Sequence, residues 1–244
     1  MWRFPRIVAH RGGGTLAPEN TLAGLRCAHE HGFRAVEFDV MALRDGALVL
    51  MHDTELGRTV RGRGPVADCT AAQLAAADAG AWLSPQFAGE PVPSFADAAA
   101  LCLRYGLWMN AEIKPVPGLE AETGARVGAA CASLPPGSVL LSSFSEPALR
   151  AARAAAPQVP RALLVESVPD NWPERLAVLQ AVALHAKAAL ITPGQVSAVK
   201  AAGVGLLCYT VNEPEQARWL LSMGVDAVCT DRLDRIPADF AAPH

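Results

Sequence analysis

Several features are scarce or missing in the 244-residue chain, and each absence excludes a class of protein. The six cysteines lie far apart, without a CxxC pair or a zinc-type spacing, which favours buried reduced thiols over a disulfide framework. No apolar run reaches the ~18 residues of a membrane span, and the amino-terminal residues do not resemble a signal peptide. We therefore expect a soluble cytoplasmic protein without a stable membrane anchor.

Lysine is also scarce, because only three of the 21 basic residues are lysines. The net charge is −3 and no Lys/Arg-rich run is present, so a nucleic-acid partner bound by a broad basic face is not expected. Hydrophobic residues make up 51% of the chain, which excludes disorder and provides ample material for a core.

Short apolar runs alternate with helical patterns along the chain. Strands are predicted at residues 6–10, 35–40, 108–113, 139–143, 161–165, about 184–191, 205–210 and 226–229. Helices are predicted at residues 20–30, 95–105, 119–132, 146–155, 173–182, 194–202 and 214–222. Strands separated by single helices indicate an α/β protein with a parallel sheet, and eight such units predict a (β/α)8 TIM-type barrel. The alternative, a doubly wound open sheet, lacks its glycine fingerprint.

One segment interrupts this alternation after the second strand. Asp45-Gly46 separates two apolar runs and predicts a hairpin turn. A turn centred on these two residues would place Asp39 opposite His52. Residues 54–93, rich in Gly, Pro and Arg, are interpreted as a small insertion that covers one mouth of the barrel within a single domain of residues 1–244.

Polar residues gather where the predicted strands end. Active sites of parallel barrels lie at the carboxyl ends of their strands. Glu37 and Asp39 share one face of the second strand, and Glu112 ends a neighbouring strand. Three converging carboxylates require a counter-charge, and a hard divalent cation (Mg²⁺, Ca²⁺ or Mn²⁺) provides it through oxygen ligands. Salt bridges to arginine are the alternative interpretation.

Two histidines and two fixed positive charges lie at the same predicted strand ends. His10 and His52 can exchange protons near neutral pH. Arg11 and Lys114 suit phosphate oxygens, although they also balance the carboxylates. This set, without an evident Ser or Cys nucleophile, favours phosphoester chemistry. The arginines at 58, 61 and 63 are interpreted as a solvated loop, with a role in substrate approach as the alternative.

The motifs together resemble the glycerophosphodiester phosphodiesterase family. They are His10-Arg-Gly, Pro18-Glu-Asn-Thr21, Glu37-x-Asp39, His52-Asp53, Arg58-Thr59, Ala79-Gly-Ala-Trp82, Glu112-x-Lys114, Ser143-Phe144, Thr210-Val-Asn212 and Gly224-Val-Asp-Ala-Val-Cys-Thr-Asp231. The resemblance covers residues 6–235, in order. It departs from the family at Tyr209, where a Trp usually precedes Thr-x-Asn, and this bears on substrate preference.

The resemblance implies metal-dependent hydrolysis of glycerophosphocholine or glycerophosphoethanolamine to glycerol 3-phosphate and an alcohol. It implies a metal site, Glu37, Asp39 and Glu112, for one divalent cation, and a general acid/base pair, His10 and His52. The implied substrate-binding residues are Arg11, Lys114, Glu19, Asn20, Phe144 and Tyr209, with Glu19 and Asn20 in a supporting turn where Asn20 can also cap a helix.

Three rival interpretations remain open from the sequence. A phospholipase C- or D-like enzyme would share the barrel but would need an apolar or basic rim, for which Trp82 and Phe87 are candidates. A non-catalytic module that binds glycerophosphodiesters would retain the pocket without turnover. A barrel whose polar rim is only structural is the third. The sequence does not disclose the oligomeric state.

Overall fold

The alternating strands and helices close into a barrel in the computed structural model, which describes residues 2–240. The strands are β1 (Ile7–Ala9), β2 (Ala35–Ala42), β3 (Leu48–Leu50), β4 (Trp108–Ile113), β5 (Val139–Ser143), β6 (Arg161–Val165), β7 (Ala183–Lys187), β8 (Gly205–Tyr209) and β9 (Ala227–Thr230). The helices are α1 (Leu22–Glu30), α2 (Ala71–Ala75), α3 (Phe95–Tyr105), α4 (Glu120–Ala132), α5 (Glu146–Ala155), α6 (Trp172–Leu179), α7 (Pro193–Ala201) and α8 (Pro214–Ser222).

Parallel pairing runs from β1 through β9, β8, β7, β6, β5 and β4 to β2, and a β1–β2 pairing closes the circle. The predicted (β/α)8 barrel is therefore confirmed. Strand residues that face outward pack against the helices in the main hydrophobic core, whereas those that face inward form a second cluster of mostly small side chains. Because both faces are buried, the strands are nearly continuous apolar runs.

Strand β3 is the exception, since it pairs antiparallel with the upper half of β2. The partners are Val40 with Leu50 and Met41 with Val49, so the predicted hairpin register is wrong by one residue and Asp39 lies opposite Met51. The cause is the turn, which contains three residues, 44–46, rather than two. Gly46 occupies the left-handed conformation (φ +83°) that such a three-residue turn requires.

Two predicted element boundaries are corrected by local capping. Helix α1 begins after Thr21, whose hydroxyl accepts a hydrogen bond from the Gly24 amide (3.0 Å), so Thr21 rather than Asn20 caps this helix. Strand β7 ends at residue 187 rather than 191, because the chain turns at 187–190, and Thr192 then forms a capping box with Gln195 that starts α7.

The segment between β3 and α3 has a small hydrophobic cluster of its own. Val60, Val66 and Leu74 from this segment pack with Met41 and Val49 of the hairpin. The segment contains α2 and two short 3-10 turns, and the connections between them are irregular. The hairpin and the segment that follows it are therefore held to the barrel as one packed unit beside its mouth.

The amino end of the barrel is closed by aromatic residues. Phe4 stacks on Trp108 with ring centroids 4.5 Å apart, and Trp2 contacts both Trp108 and His185 edge to face. His185 is fully buried, and neither ring nitrogen has a hydrogen-bond partner among residues 2–240. Burial lowers the pKa of His185 to about 3, so this ring is neutral near pH 7.

A buried arginine also lies at this end. Arg161, the first residue of β6, is 3% exposed and donates hydrogen bonds to five backbone carbonyls. These carbonyls belong to residues at or just beyond the carboxyl ends of α5 and α6, where helix dipoles favour a cation.

Within residues 2–240, no helix is both long and apolar enough to cross a bilayer, and all six cysteines are free.

Candidate active site

Three buried carboxylates converge at the carboxyl end of the barrel. Glu37 and Asp39 point inward from β2, and register pairing places Glu112 of β4 beside Asp39. One oxygen from each carboxylate lies within 4.8 Å of the others, and the residues are 5%, 1% and 9% exposed. We call this group the carboxylate triad. The structure thus brings together the three residues that the sequence suggested as one cluster.

If all three carboxyl groups were ionised, the triad would hold more negative charge than its surroundings balance. Burial, reinforced by Asp39, raises the pKa of Glu37 to about 7 and that of Glu112 to about 8. Burial acts in the same direction on Asp39, but Lys114, Arg11 and His52 outweigh it and lower the pKa of Asp39. Two of the three carboxyl groups thus resist ionisation unless another positive charge is added.

These residues fit a divalent cation of the hard type. The donor set consists of oxygens only, and it is buried, convergent and short of positive charge. Mg²⁺, Ca²⁺ and Mn²⁺ prefer such oxygen ligands, whereas zinc favours sites with nitrogen or sulfur. Among the described residues, no other group of three His, Cys, Asp or Glu residues has this geometry.

Arg11 and Lys114 surround the triad with fixed positive charge. Lys114 Nζ lies 3.1 Å from Glu112 Oε1 and 3.4 Å from Asp39 Oδ1. Arg11 has a left-handed backbone (φ +50°), and its amide donates to Glu37 Oε2 at 3.0 Å. Its Nε is buried 3.8 Å from Asp39 Oδ2, without a hydrogen-bond acceptor among residues 2–240. This unused donor faces the triad and is available to a ligand.

The turn before α1 supports both Asp39 and Arg11. Asn20 is buried with φ +56°, so its amide side chain reaches Asp39 instead of capping the helix. Asn20 Nδ2 donates to Asp39 Oδ2 (2.8 Å), and its Oδ1 accepts from the Asp39 amide (3.0 Å). Glu19 accepts from Arg11 Nη1 at 2.7 Å. The sequence pattern at 18–21 is thus a brace for the site.

His10, which follows β1, is held by a residue from the other end of the chain. Its Nδ1 donates to Asp231 Oδ1 at 2.5 Å, and Asp231 accepts in turn from Asn212 Nδ2 at 2.9 Å. Burial alone would lower the pKa of His10, but the hydrogen bond to Asp231 and the charge of Glu37 raise it. His10 Nε2 is directed toward the triad, 3.8 Å from Glu37 Oε2.

The loop after β1 can approach Asp231 only because it is rich in glycine. A Cβ atom on Gly14 would lie 2.2 Å from the Asp231 carbonyl oxygen, and Gly14 has a left-handed backbone (φ +54°). The Thr15 amide donates to the same carbonyl at 2.9 Å. The glycine run at 12–14 therefore allows the His10 loop and the end of β9 to pack together.

His52, which follows β3, has a carboxylate partner of its own. Its Nδ1 donates to Asp53 Oδ1 at 2.7 Å. An ionised carboxylate only accepts hydrogen bonds, so in both histidines Nδ1 carries the proton and Nε2 is left for other chemistry. His52 lines a cavity together with Arg58 and Lys114. The two predicted histidines thus lie beside one site, each oriented by a separate aspartate.

Arg58 differs from its neighbours at 61 and 63. It donates to both oxygens of Asp53 and to both oxygens of Glu19, whereas Arg61 and Arg63 are exposed and form no hydrogen bond within residues 2–240. Burial opposes ionisation of Asp53, but Arg58 and His52 outweigh it and lower its pKa to about 2. Arg58 is exposed, as the interpretation of a solvated loop expects, but four hydrogen bonds to Asp53 and Glu19 hold its guanidinium in place.

Two aromatic side chains lie on the other half of the mouth. Phe144 follows β5 and is 45% exposed, and Tyr209 ends β8 with its ring centroid 6.1 Å from that of Phe144. The Tyr209 hydroxyl donates to the Val165 carbonyl at 2.9 Å, which fixes the ring. Phe144 also lines a cavity of about 320 Å³ with Glu112 and Lys114. An apolar surface therefore adjoins the charged one.

The residues that support the site were outside the predicted set. Asp231, Asn212, Asp53 and Arg58 orient predicted residues. A usable signal existed for each, since Asp231 and Asn212 follow predicted strands, Asp53 adjoins His52 in sequence and Arg58 lies in one of the motifs of the resemblance. The pairing of His10 with a residue 221 positions away becomes visible only when the barrel closes.

Comparison with known proteins agrees with this geometry. A model of the Glycerophosphoryl diester phosphodiesterase family matches residues 10–235. The chain belongs to this family. It is therefore an enzyme of the glycerophosphodiester phosphodiesterase type, and a glycerophosphodiester is its class of substrate.

Three proteins are similar to this phosphodiesterase over nearly their whole length. A glycerophosphodiester phosphodiesterase from Caldanaerobacter subterraneus subsp. tengcongensis is 33% identical, covering 92% of this chain and 93% of the relative. The structure of an Oleispira antarctica phosphodiesterase in complex with the product sn-glycerol-3-phosphate is 37% identical, with a TM-score of 0.90, covering 97% of this chain and 95% of that one. A glycerophosphodiester phosphodiesterase from Agrobacterium tumefaciens is 29% identical, with a TM-score of 0.80 and coverage of 95% and 98%.

Proposed function

We propose that the enzyme hydrolyses glycerophosphodiesters, such as glycerophosphocholine and glycerophosphoethanolamine, to glycerol 3-phosphate and an alcohol. The observation that carries this proposal is the placement of two imidazoles beside one carboxylate triad, each held through Nδ1 by its own aspartate. Such an arrangement provides two proton carriers and a cation site without a protein nucleophile. The product named for the Oleispira structure agrees with the proposed product.

Glu37, Asp39 and Glu112 would hold one divalent cation, Mg²⁺ or Ca²⁺, with Mn²⁺ as a further candidate. A cation at this position supplies Lewis-acid charge that favours attack on a phosphodiester. Asn20 keeps one oxygen of Asp39 fixed, and the Arg11 amide does the same for Glu37. These contacts orient the ligands before any cation arrives.

Arg11 and Lys114 bind the phosphate in this proposal. The buried Nε of Arg11 has no acceptor in the described chain, so a phosphate oxygen would satisfy it. Lys114 Nζ adds a second positive charge beside Asp39 and Glu112. Glu19 and Asn20 act on the substrate indirectly, because their polar atoms are engaged by Arg11, Arg58 and Asp39.

His10 and His52 transfer the protons. One neutral imidazole removes the proton of the attacking hydroxyl through Nε2, and the other, protonated, donates to the leaving alkoxide. The attacking group is either water or the neighbouring glycerol hydroxyl, which would produce a cyclic phosphate. The geometry leaves the acid and base roles interchangeable between the two histidines.

The rate acceleration that the reaction requires indicates how much each group of residues must contribute. Phosphodiester hydrolysis needs an acceleration of ~10¹⁵ or more. Two proton transfers contribute at most ~10⁸, because each contributes roughly 10²–10⁴. Charge neutralisation and positioning of the phosphate, through the cation, Arg11 and Lys114, must therefore supply the remainder.

Phe144 and Tyr209 contact an organic substituent of the phosphate in this proposal, since they form the apolar side of the mouth.

We further propose that the enzyme works in the cytoplasm. All six cysteines are free, and four of them are buried, as is usual for proteins of a reducing compartment.

A coupled assay of glycerol 3-phosphate release tests the proposal. Metal-stripped protein is incubated with glycerophosphocholine or glycerophosphoethanolamine, and Mg²⁺, Ca²⁺ or Mn²⁺ is then added back. We expect release that depends on the added cation. Release at the same rate without any cation would contradict the proposed role of the triad.

Absence of release with every cation, from folded protein, would contradict the proposed substrates and separates the two rivals. Hydrolysis of intact or lyso phospholipid would indicate a phospholipase C- or D-like enzyme. Binding of glycerophosphocholine without turnover, measured by calorimetry, would indicate a binding module instead.

A further inference from the structure

Arg58 occupies an unusual position between two acidic residues that support different parts of the site. Its Nε and Nη2 donate to Asp53 Oδ2 and Oδ1 at 2.6 and 3.1 Å. Its Nη1 and Nη2 donate to Glu19 Oε2 and Oε1, both at 2.7 Å. Both sides of the planar guanidinium are therefore used in paired contacts, which only arginine can form.

The two acidic residues lead to two different functional groups. Asp53 Oδ1 also accepts from His52 Nδ1 at 2.7 Å, and Glu19 Oε1 also accepts from Arg11 Nη1 at 2.7 Å. A continuous chain of hydrogen bonds thus runs from His52 to Arg11 through Arg58. His10 is not part of this chain, because its aspartate is held by Asn212.

The exposure of these groups indicates why the contact matters. The Asp53 side chain is 26% exposed and that of Glu19 is 12% exposed, so without Arg58 both carboxylates could turn toward water. Asp53 would then leave His52 Nδ1, and Glu19 would release Arg11. The Arg58 side chain itself is 45% exposed and contributes little to the hydrophobic core.

We propose that Arg58 is a positioning residue of the phosphodiesterase reaction. By holding Asp53 it fixes His52 in the tautomer protonated on Nδ1, and by holding Glu19 it fixes the guanidinium of Arg11. One side chain thereby orients both the proton carrier, His52, and the phosphate-binding residue, Arg11. This inference rests on the proposed roles of His52 and Arg11.

Kinetics of Arg58→Ala provide the first test. We expect kcat to fall about 10–100-fold, as is typical for residues that orient site groups, with Mn²⁺ affinity measured by calorimetry unchanged. Arg58→Lys should recover little activity, because one ammonium group cannot form four directed bonds. Arg63→Ala is the matched control, since Arg63 is an exposed arginine of the same segment, and it should retain wild-type kcat.

Chemical rescue distinguishes positioning from a general structural effect. Guanidinium chloride, far below denaturing concentrations and compared with NaCl at equal ionic strength, should raise kcat of Arg58→Ala but not that of Arg63→Ala or wild type. Wild-type kcat in Arg58→Ala, or full recovery by Arg58→Lys, would overturn the proposal. Equal stimulation of all variants would do the same.

A spectroscopic readout keeps this proposal separate from the proposed function. Long-range ¹⁵N–¹H spectra of histidine rings report the tautomer directly, with or without turnover. We expect His52 to show the Nδ1–H tautomer in wild type and Arg63→Ala, and a mixture in Arg58→Ala. An unchanged His52 tautomer in a folded Arg58→Ala protein would overturn the inference even if wild type proved inactive on glycerophosphodiesters.

Discussion

At the carboxyl end of the barrel, the buried carboxylates Glu37, Asp39 and Glu112 lie beside Arg11 and Lys114, whereas at the amino end the buried Arg161 has no carboxylate partner among residues 2–240. In the first group two carboxyl groups resist ionisation, and Arg11 Nε has no acceptor among residues 2–240. The second satisfies one cation with five carbonyls that need donors. The comparison indicates that the carboxyl end of the barrel (the upper end) is arranged to bind a ligand, whereas the amino end (the lower end) is arranged for stability.

The largest expected effect comes from the histidines of the upper end. His10→Ala and His52→Ala should each lower kcat by roughly 10²–10⁴-fold, because each removes a proton carrier. Glycerol 3-phosphate release measures kcat, and thermal melting should show little loss of stability. Affinity for Mn²⁺ should remain close to that of wild type.

His29→Ala is a suitable control for both variants. His29 stacks on Tyr105 at a ring-centroid distance of 4.1 Å, on helix α1 and away from the triad. It should keep wild-type kcat. Wild-type turnover in His10→Ala or His52→Ala would contradict the role proposed for that histidine.

The next effect concerns the lower end, where a substitution should reduce stability and leave kcat unchanged. Arg161→Met keeps the aliphatic packing but leaves the carbonyls at the ends of α5 and α6 without their donor. We expect the free energy of unfolding in urea to fall by about 3 kcal/mol, while kcat of the folded enzyme is unchanged. A stability equal to that of Arg63→Ala, or a loss of kcat in folded protein, would break the comparison between the two ends.

The smallest effect is a pH dependence of stability from His185 over the single pH unit below pH 6.5. Its pKa in the folded protein is about 3, against an ordinary value of 6.5, so between these values the unfolded chain binds the extra proton. Stability from this residue is therefore complete above pH 6.5 and is lost as the pH falls. The loss should approach about 1.4 kcal/mol per pH unit.

Urea unfolding of wild type and His185→Leu across this pH interval measures the contribution of His185 to the free energy of unfolding. Acidic groups elsewhere titrate in both proteins and cancel in the difference. The free-energy difference between the two proteins should shift in favour of His185→Leu as the pH falls. A difference that stays constant with pH would show that His185 takes up its proton without unfolding.

The sequence was most informative where local rules determine the structure. The bounds of β4, β5, β6 and α3 agree with prediction because short apolar runs and helix caps define them within a few residues. The register of the hairpin could not be predicted, because Asp-Gly is compatible with turns of two or three residues and each shifts the pairing. The barrel itself followed from the count of alternating strands and helices.

The candidate site divides in the same way. Glu37 and Asp39 could be placed together because alternate residues of a strand share a face. Asn20 was interpreted as a possible helix cap, and only its backbone (φ +56°) shows that its side chain turns toward Asp39 instead. The Arg58-Thr59 motif sets Arg58 apart from Arg61 and Arg63, but its contacts could not be predicted, since they depend on where Glu19 and Asp53 meet in space.

The two histidine–aspartate pairs differ in how far the chain must travel to form them. His52 and Asp53 are neighbours, whereas His10 and Asp231 are 221 residues apart and join the first strand of the barrel to the last. Closing so long a loop is entropically demanding, so we expect this contact among the late events of folding. The contact between His10 and Asp231 thus both closes the barrel and orients one of the two histidines. The complete site therefore exists only after β1 has paired with β9.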